Sequence, residues 1–478
     1  MSRSSGVLMH VSTLPGGYSC GALGSQAKQW IDTIKAAGFT YWQVLPFCLP
    51  DEVNSPYKSY SAFSLNPLFI DLDTLFEAGL LTEEELAAAK QENCYVCEFE
   101  RLGRERMALL AKAASRFNEP EKIEGFLNKH PHTEGFCRFM ALKKANGGLE
   151  WQQWTTDEAD EEEYRTWAFT QYEFYREWKE IKAYANENGV KIIGDMPIYV
   201  SADSADVWAD KDLFQLEDTG YPAKVAGVPP DYFAEDGQLW GNPLYNWAAM
   251  KRTRYKWWKE RVKFTAELFD GVRIDHFRAV ESYYAIPATE TTAKHGEWLK
   301  GPGMGLVNAI RQAAKNLLVI AEDLGDITDE VRALVKESGF PGMRVLQFGF
   351  LSDASNPHLP HNYIENCVAY TGTHDNNTLL GFVWEQDGGH KQWIADYFGH
   401  PDVSRMEGCF DTVERTMLMS RADLVILPVQ DLLRYGADTR MNKPGEPEGN
   451  WAVRFTEEQL NGIDTEKFRK WNAIYGRI

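Results

Sequence analysis

Residues 271–277 have the sequence Gly-Val-Arg-Ile-Asp-His-Phe, in which Val272 and Ile274 alternate with Arg273 and Asp275. The alternation predicts a short strand, and side chains two positions apart on a strand point to the same side. Arg273 should therefore lie beside Asp275, favour its ionised carboxylate and lower its pKa. The pair is either a salt bridge that ends a buried strand or an activated nucleophile, and the heptapeptide alone leaves both interpretations open.

Seven other apolar runs resemble this one, and together the eight predict the fold class. The first two runs are joined by a predicted helix with short connections, which is typical of a parallel sheet. The whole series therefore predicts an α/β fold of the (β/α)8 TIM barrel type, with catalysis at the C-terminal ends of the strands. The runs are residues 6–11, 41–46, 191–200, 271–277, 317–325, 342–348, 367–375 and 423–431.

Two of the intervals between these runs are longer than a barrel requires. Helical patterns, including a capping box of Thr82 and Glu85, predict a mainly helical insertion at about residues 80–165. Residues 226–243 are rich in Pro, Gly and aromatic side chains, and we interpret about 201–250 as a lid-like loop region. We expect residues 1–478 to form a single catalytic barrel domain that carries both segments.

The composition limits the kinds of molecule that the protein is expected to bind. A net charge of −20 argues against nucleic acid and anionic membranes, which require clustered Lys and Arg, and it suits an uncharged substrate. The chain is rich in aromatic residues, with 16 Trp, 21 Tyr and 25 Phe. Most of them should lie in the core, and some excess is expected if the ligand presents flat apolar faces, as sugar rings do. The odd number of cysteines (7) and the lack of a signal peptide or of an apolar run near ~18 residues predict a cytoplasmic protein.

Three acids, Asp275, Glu322 and Asp375, stand at the ends of apolar runs. Any one of them could cap the following helix, but in a barrel all three meet at one rim. Converging carboxylates either bind a divalent metal ion or cleave a glycosidic bond. Arg273 beside Asp275 weakens the metal interpretation, because a cation in the site opposes a second cation. His374 is ambiguous, since it suits a metal ligand and a donor to a sugar hydroxyl alike.

Glycoside chemistry assigns the three acids different roles. Asp275, paired with Arg273, would stay charged and attack the anomeric carbon. Glu322 follows a very apolar run, so its pKa should be raised and it would protonate the leaving oxygen. Asp323 competes for that role, but adjacent residues on a strand face opposite ways and only one reaches the interior. Asp375 would bind sugar hydroxyls and help to distort the ring; a retaining mechanism places nucleophile and acid about 5–5.5 Å apart.

Several stretches, in their order and spacing, resemble those of one family: residues 55–57 (Ser-Pro-Tyr), 194–198 (Gly-Asp-Met-Pro-Ile), 227–242, 271–277, 321–325 (Ala-Glu-Asp-Leu-Gly), 371–376 (Thr-Gly-Thr-His-Asp-Asn) and 448–451 (Glu-Gly-Asn-Trp). On these stretches the chain resembles the amylomaltases, the 4-alpha-glucanotransferases or disproportionating enzymes of the alpha-amylase-like clan. The resemblance extends over nearly the whole chain.

The resemblance implies Asp275 as nucleophile, Glu322 as acid/base and Asp375 as transition-state stabiliser. It also implies contacts to the sugar at the cleavage point from Tyr57, Asp195, Arg273 and His374, and acceptor-side or lid roles for Phe233, Gln238, Trp240 and Asn450. No cofactor is implied, and neither the calcium site of the clan nor any other metal site is expected.

We therefore expect a retaining 4-alpha-glucanotransferase that acts on maltooligosaccharides, amylose or starch-like α-1,4-glucans as a monomer or homodimer. The residues alone support retaining glycosidase chemistry, whereas the preference for transfer is what the resemblance implies. An α-1,4-glucan hydrolase of the same clan is the closest alternative. A metal-dependent barrel lyase or isomerase and a non-catalytic glucan-binding protein are the other hypotheses.

Overall fold

The computed structural model describes residues 3–50, 54–91, 93–230, 235–400, 408–446 and 448–478. Its strands fall into two sheets. In chain order they are β1 (Ser4–Leu8), β2 (Tyr41–Gln43), β3 (Lys191–Met196), β4 (Lys224–Val228), β5 (Gln238–Pro243), β6 (Gly271–Ile274), β7 (Ser282–Pro287), β8 (Glu297–Lys300), β9 (Leu318–Ala321), β10 (Gly342–Val345), β11 (Cys367–Tyr370) and β12 (Leu424–Pro428).

Eight of these strands close a barrel in the order β1-β12-β11-β10-β9-β6-β3-β2. All neighbours in it are parallel, and β1 pairs with β12, so the first and last strands of the chain complete the ring. Seven of these strands lie within the predicted apolar runs and β1 overlaps the first run, so the prediction of a (β/α)8 barrel is confirmed.

Side chains alternate between the inside and the outside of the barrel. On β12, Leu424 and Ile426 belong to a buried cluster drawn mainly from barrel strands, whereas Val425 and Leu427 belong to the larger core beneath the helices. Because successive side chains on a strand point to opposite faces, the first cluster fills the interior and the second lies between sheet and helices. The interior is therefore a packed core, and substrate has access only at the ends of the strands.

The helices surround the barrel and fill the long segment between β2 and β3. In chain order they are α1 (Ser25–Ala36), α2 (Leu72–Glu77), α3 (Glu83–Ala89), α4 (Phe99–Arg101), α5 (Met107–Arg116), α6 (Pro120–Lys129), α7 (Pro131–Ala145), α8 (Glu161–Glu187), α9 (Ala205–Ala209), α10 (Trp247–Arg252), α11 (Lys256–Leu268), α12 (Met304–Ala314), α13 (Asp329–Ser338), α14 (Leu346–Gly349), α15 (Leu379–Glu385), α16 (Gly388–Tyr397), α17 (Phe410–Met419), α18 (Val429–Leu433), α19 (Glu457–Asn461) and α20 (Thr465–Ile474). None of the helices in the described residues combines the length and the apolarity that crossing a membrane requires.

The segment of residues 80–165, where the sequence predicts a helical insertion, contains α3 to α7 and the start of α8. The capping box expected at Thr82 and Glu85 is present at the start of α3. Helix α8 is 27 residues long; its acidic first turn is capped by the side chain of Asp160, which accepts a hydrogen bond from the N–H of Glu163. The acidic residues before β3 thus begin a helix that packs along the barrel.

The region of residues 201–250, where the sequence predicts a lid-like loop, contributes instead to a second sheet. Strand β4 pairs in antiparallel fashion with both β5 and β7, and β7 pairs with β8, giving the order β5-β4-β7-β8. Gly237, near the turn of the β4–β5 hairpin, has φ +65°, and a Cβ there would lie 2.5 Å from the carbonyl oxygen of Val228. Only glycine fits such a position without strain.

Candidate active site

Arg273 joins two carboxylates at the end of β6. Its guanidinium lies 2.8 Å from Asp275 Oδ1 and donates to both oxygens of Asp195, at 2.9 and 2.8 Å. The register explains the second pair, because Asp195 on β3 stands directly opposite Arg273 on β6. Arg273 and Asp275 thus share a face, as the alternation predicts, but the cation is divided between two acids.

The predicted direction of the Asp275 pKa is wrong. Burial raises the pKa of Asp275 above its ordinary value, the attraction of Arg273 opposes this, and the nearby charges of Asp195 and Asp375 raise it further. The alternation along the strand reveals only Arg273. It reveals neither the burial of Asp275 nor Asp195, the second acid that Arg273 binds. The carboxylate remains accessible, with 30% of its side chain exposed.

Glu322 lies beside Asp275 because β6 and β9 are neighbours in the barrel. One oxygen of Glu322, Oε2, accepts a hydrogen bond of 2.6 Å from the N–H of His276, and Oε1 accepts one of 2.8 Å from the N–H of Leu324. His276 adopts a left-handed backbone conformation (φ 51°), which is uncommon for a residue other than glycine and is found at functional sites. The structure therefore brings Glu322 to the residue that follows Asp275.

Burial raises the pKa of Glu322 to about 8, against the opposing attraction of Arg273 and with a further rise from Asp275. This is the direction that the apolar run before Glu322 predicts. Its neighbour Asp323 faces the other way, where Oδ1 accepts a hydrogen bond from the N–H of Met343 at 2.6 Å. Glu322 therefore faces the site and is protonated at neutral pH, and Asp323 is bonded to the backbone of β10.

Asp375 follows β11 in a loop and has three neighbours that bind it. Its Oδ1 accepts a hydrogen bond of 2.6 Å from the side chain of Asn442, its Oδ2 lies 3.2 Å from His374 Nε2, and its backbone oxygen accepts one of 2.5 Å from Arg440. The surrounding protein raises the pKa of Asp375, but His374 and Asn442 outweigh this and hold it at about 2. With 44% of its side chain exposed, Asp375 is a permanently charged acid that is open to a ligand.

An aromatic group adjoins these acids. The Tyr57 hydroxyl donates to Asp195 at 2.8 Å, and its ring stacks on His374 with centroids 5.0 Å apart and an interplanar angle of 12°. Trp451 lies against both rings, at 5.9 and 5.8 Å. Tyr57, Asp195, Arg273 and His374, the four residues expected at the cleaved sugar, are thus connected with the three acids.

The described residues that are predicted for the acceptor side lie on β5 and in the loop around Asn450. Trp240 packs edge-on against His276, with ring centroids 4.8 Å apart, and its indole N–H donates to Gln238 Oε1 at 3.0 Å. The Asn450 amide accepts from the N–H of Lys443 at 2.8 Å and donates to the Glu446 carbonyl at 2.6 Å, so it holds its own loop together. Phe233, the fourth predicted residue, lies outside the described residues.

Two residues that hold Asp375 in place, Arg440 and Asn442, do not stand out in the sequence. Both stand in a polar segment without a regular pattern, Arg440-Met441-Asn442-Lys443-Pro444. No spacing rule distinguishes such an amide from an ordinary loop residue; only the contact with a predicted acid does. Within the described ranges, no three His, Cys, Asp or Glu side chains are close enough together to hold a metal ion.

Comparisons with known proteins identify the family of the chain. A family model described as 4-alpha-glucanotransferase matches residues 9–460. A 4-alpha-glucanotransferase of Clostridium butyricum is 40% identical over 489 residues, covering 98% of this chain and 100% of the relative. One of Thermus thermophilus is 41% identical over 485 residues and covers 96% of each chain.

Solved structures agree with this family assignment. An amylomaltase from Streptococcus agalactiae in complex with acarbose superimposes with a TM-score of 0.94 at 36% identity, covering 100% of both chains. An amylomaltase from Corynebacterium glutamicum, at 16% identity, has a TM-score of 0.81 and shows the same fold, covering 99% of this chain and 74% of that one. The resemblance read from the sequence is confirmed, and the chain belongs to the 4-alpha-glucanotransferase family.

Proposed function

We propose that Asp275, Glu322 and Asp375 carry out the 4-alpha-glucanotransferase reaction by a retaining, two-step mechanism. The enzyme would transfer an α-1,4-glucan segment from a maltooligosaccharide or starch-like donor to the 4-hydroxyl of an acceptor glucan or glucose. The observation that carries this proposal is the hydrogen bond from the N–H of His276 to Glu322, which puts the protonated acid beside Asp275. Retaining glycoside chemistry requires a protonated acid close to a second carboxyl group that can act as the nucleophile.

In the first step, Asp275 attacks the anomeric carbon and the bond from that carbon to the leaving oxygen breaks. Glu322 gives its proton to that oxygen, and the shortened glucan leaves with a free 4-hydroxyl. The pKa of Glu322, about 8, keeps this proton available at neutral pH. Arg273 orients Asp275 at 2.8 Å and, through Asp195 and Tyr57, connects it to the wall of the site.

Asp375 and His374 would act on the sugar ring in the transition states of both steps. Positive charge develops at the ring oxygen and anomeric carbon, and a carboxylate whose pKa is about 2 is charged at every pH at which the enzyme works. Hydrogen bonds from the sugar hydroxyls to Asp375 and His374 would strengthen as the ring flattens. Stacking of Tyr57 on His374 fixes the orientation of the imidazole.

In the second step, Glu322 is a carboxylate and accepts the proton of the acceptor 4-hydroxyl as that oxygen attacks the anomeric carbon. The bond to Asp275 breaks, and the product keeps the α configuration. Transfer requires that a sugar hydroxyl and not water reaches this position. Trp240 and Gln238, on β5 and beside His276, supply an apolar ring and an amide for an acceptor sugar.

These assignments support transfer rather than the clan's α-1,4-glucan hydrolase reaction, because an ordered acceptor surface adjoins the acids. We assign α-1,4-glucans as the substrates, and to the protein a cytoplasmic location, a monomeric or homodimeric state and a single catalytic domain. Phe233 and Asn450 remain proposed acceptor-side residues, and Asn450 would act by shaping its loop next to Trp451.

The product pattern from maltotriose tests this function. The wild-type enzyme is expected to give glucose and a ladder of longer maltooligosaccharides, whereas a hydrolase gives only maltose and glucose. Asp275→Asn should lose both products while retaining affinity for maltooligosaccharides in a binding measurement. Maltose and glucose alone from the wild type, or an unchanged ladder from Asp275→Asn, would refute the assignment.

A further inference from the structure

The loop that carries His374 and Asp375 extends from the end of β11 to the start of α15, and much of its bonding is internal. Asn376 Oδ1 accepts hydrogen bonds from both the N–H and the hydroxyl of Thr373, each at 2.9 Å, and Thr378 caps α15. Internal bonds of this kind fix the shape of a loop and leave its position on the barrel open.

A small cavity of about 30 Å³ adjoins this loop. It is lined in part by Thr373, Asn376 and Asn377 from the loop and by His10 and Gln430, which follow β1 and β12. Tight packing transmits position from one element to the next, and a void removes contacts from the atoms around it. The loop is therefore incompletely packed where it borders the cavity, so hydrogen bonds from other elements help to hold its position.

Asp431 provides such bonds at both ends of the loop. It lies in α18, directly after β12, and is almost fully buried. Its Oδ2 accepts a hydrogen bond of 2.5 Å from the hydroxyl of Thr371, and its Oδ1 accepts one of 2.8 Å from the N–H of Leu379. Thr371 follows β11 directly and Leu379 begins α15, so one carboxylate holds both ends of the loop together.

We infer that Asp431, acting through Thr371 and Leu379, is a positioning residue that sets where Asp375 and His374 meet the sugar. This inference depends on the proposed role of Asp375. The segment that contains Asp431 continues to Arg440 and Asn442, which donate hydrogen bonds to Asp375. The segment after the last barrel strand thus holds the loop at its two ends and at Asp375.

Two substitutions of Thr371 test the inference without a change of charge. Thr371→Val removes the hydroxyl at constant shape, and Thr371→Ser keeps it. A displacement of Asp375 by a fraction of an ångström to 1 Å should lower kcat for maltotriose disproportionation roughly 10- to 100-fold in Thr371→Val, with KM changed by no more than about twofold. Thr371→Ser should retain kcat within about threefold.

A matched control is available in α8. Thr170 is fully buried, as is Thr371, and its hydroxyl donates to the carbonyl of Trp167 at 2.9 Å, away from the barrel rim. Thr170→Val should therefore lower the thermal midpoint by a similar amount and leave kcat at the wild-type value. Equal kcat losses in Thr371→Val and Thr170→Val would overturn the inference, because the loss would then follow stability.

Maltosyl fluoride as donor separates an effect on Asp375 from one on Glu322. Fluoride leaves without a proton, so a defect in the acid disappears with this donor, whereas a misplaced Asp375 still slows the first step. Thr371→Val should stay slow with maltosyl fluoride; full recovery would overturn the inference. If Thr371→Val does not fold, Asp431→Asn, which keeps one acceptor oxygen, is measured against Thr170→Val in the same way.

Asp375→Asn is the reference for the proposed function. If it keeps wild-type kcat, the role of Asp375 fails and the inference fails with it. If Asp375→Asn is inactive while Thr371→Val and Thr371→Ser are equally active, the role of Asp375 stands and only the positioning by Asp431 is refuted.

Discussion

At the scale of single residues, the site depends on how one cation and four acids share their charges. Arg273 is bound by both Asp195 and Asp275, so its charge is divided between two acids. Glu322 takes the proton because burial outweighs Arg273 and the N–H groups of His276 and Leu324. Asp375 stays charged because His374 and Asn442 outweigh the effect of burial. A carboxyl group can therefore be an acid or an anion, according to the balance between burial and the donors and cations around it.

The pKa of Glu322 predicts a pH dependence of the first step. Only the protonated form can donate, so kcat/KM for maltotriose should fall as pH rises through about 8. With maltosyl fluoride, which needs no proton for its leaving group, this basic limb should disappear. Asp323→Asn is the control: its side chain faces β10, so its profile should match the wild type. A basic limb that persists with maltosyl fluoride would contradict the assignment of Glu322.

At the scale of elements, the hairpin of β4 and β5 places Trp240 beside the acids. We expect Trp240→Ala to shift the balance from transfer to hydrolysis roughly tenfold, because the loss of an aromatic contact of about 1–1.5 kcal/mol weakens the acceptor but not water. The measurement is the ratio of free reducing ends formed to longer maltooligosaccharides formed from maltotriose.

Trp298 on β8 offers a matched control in the same sheet. It is 39% exposed and its ring packs over the guanidinium of Arg278 at 3.9 Å. Trp298→Ala should leave the ratio of transfer to hydrolysis unchanged. An equal shift in both variants would mean that general loosening of the sheet, and not the acceptor contact of Trp240, controls the outcome.

The sequence predicts these elements unevenly, for physical reasons. A barrel strand is buried on both faces, so it appears as an apolar run that periodicity detects, and the acids at its end stand out. The β4–β5 hairpin contains Gly227, Gly237 and Gly241, which lower strand propensity, and its second partner, β7, follows only after β6. The local pattern therefore predicts a loop in this region, whereas pairing with a strand distant in sequence forms a sheet there.

The same distinction holds within the site. The sequence singles out Asp275, Glu322 and Asp375 as candidates because each follows a recognisable strand. Asn442 lies in an irregular loop, and the pKa of Asp275 depends on Asp195 from another strand, so neither follows from the local sequence. The position of a residue at the end of a strand predicts that it reaches the rim. Its pKa depends on which groups from other strands and loops lie beside it there.

At the scale of the whole molecule, buried acids outside the site affect stability. Glu414 on α17 is almost fully buried, 3.4 Å from Arg434 and 3.6 Å from Lys467, and its Oε1 has no hydrogen-bond partner among the described residues. Burial raises its pKa to about 8, against the attraction of the two cations. The folded state therefore binds more protons than the unfolded state between the ordinary carboxyl pKa and about 8.

Stability should consequently fall as pH rises through this window and level off above it. In Glu414→Gln the loss of unfolding free energy between pH 6 and 8 should be smaller than in the wild type by about 2 kcal/mol, measured from denaturant midpoints. Glu365→Gln is the control, since that side chain is 72% exposed and paired with Arg421 at the surface. Equal pH dependence in wild type and Glu414→Gln would contradict the raised pKa.

Closure of the ring between β1 and β12 has a consequence for biosynthesis. A nascent chain that has left the ribosome up to β11 and its loop already contains Asp275, Glu322 and Asp375. It lacks both the strand that seals the ring against β1 and the segment that supplies Asp431, Arg440 and Asn442. We expect an unfinished chain to be unable to process glucan, because translation delivers the chemical groups first and the groups that align them last.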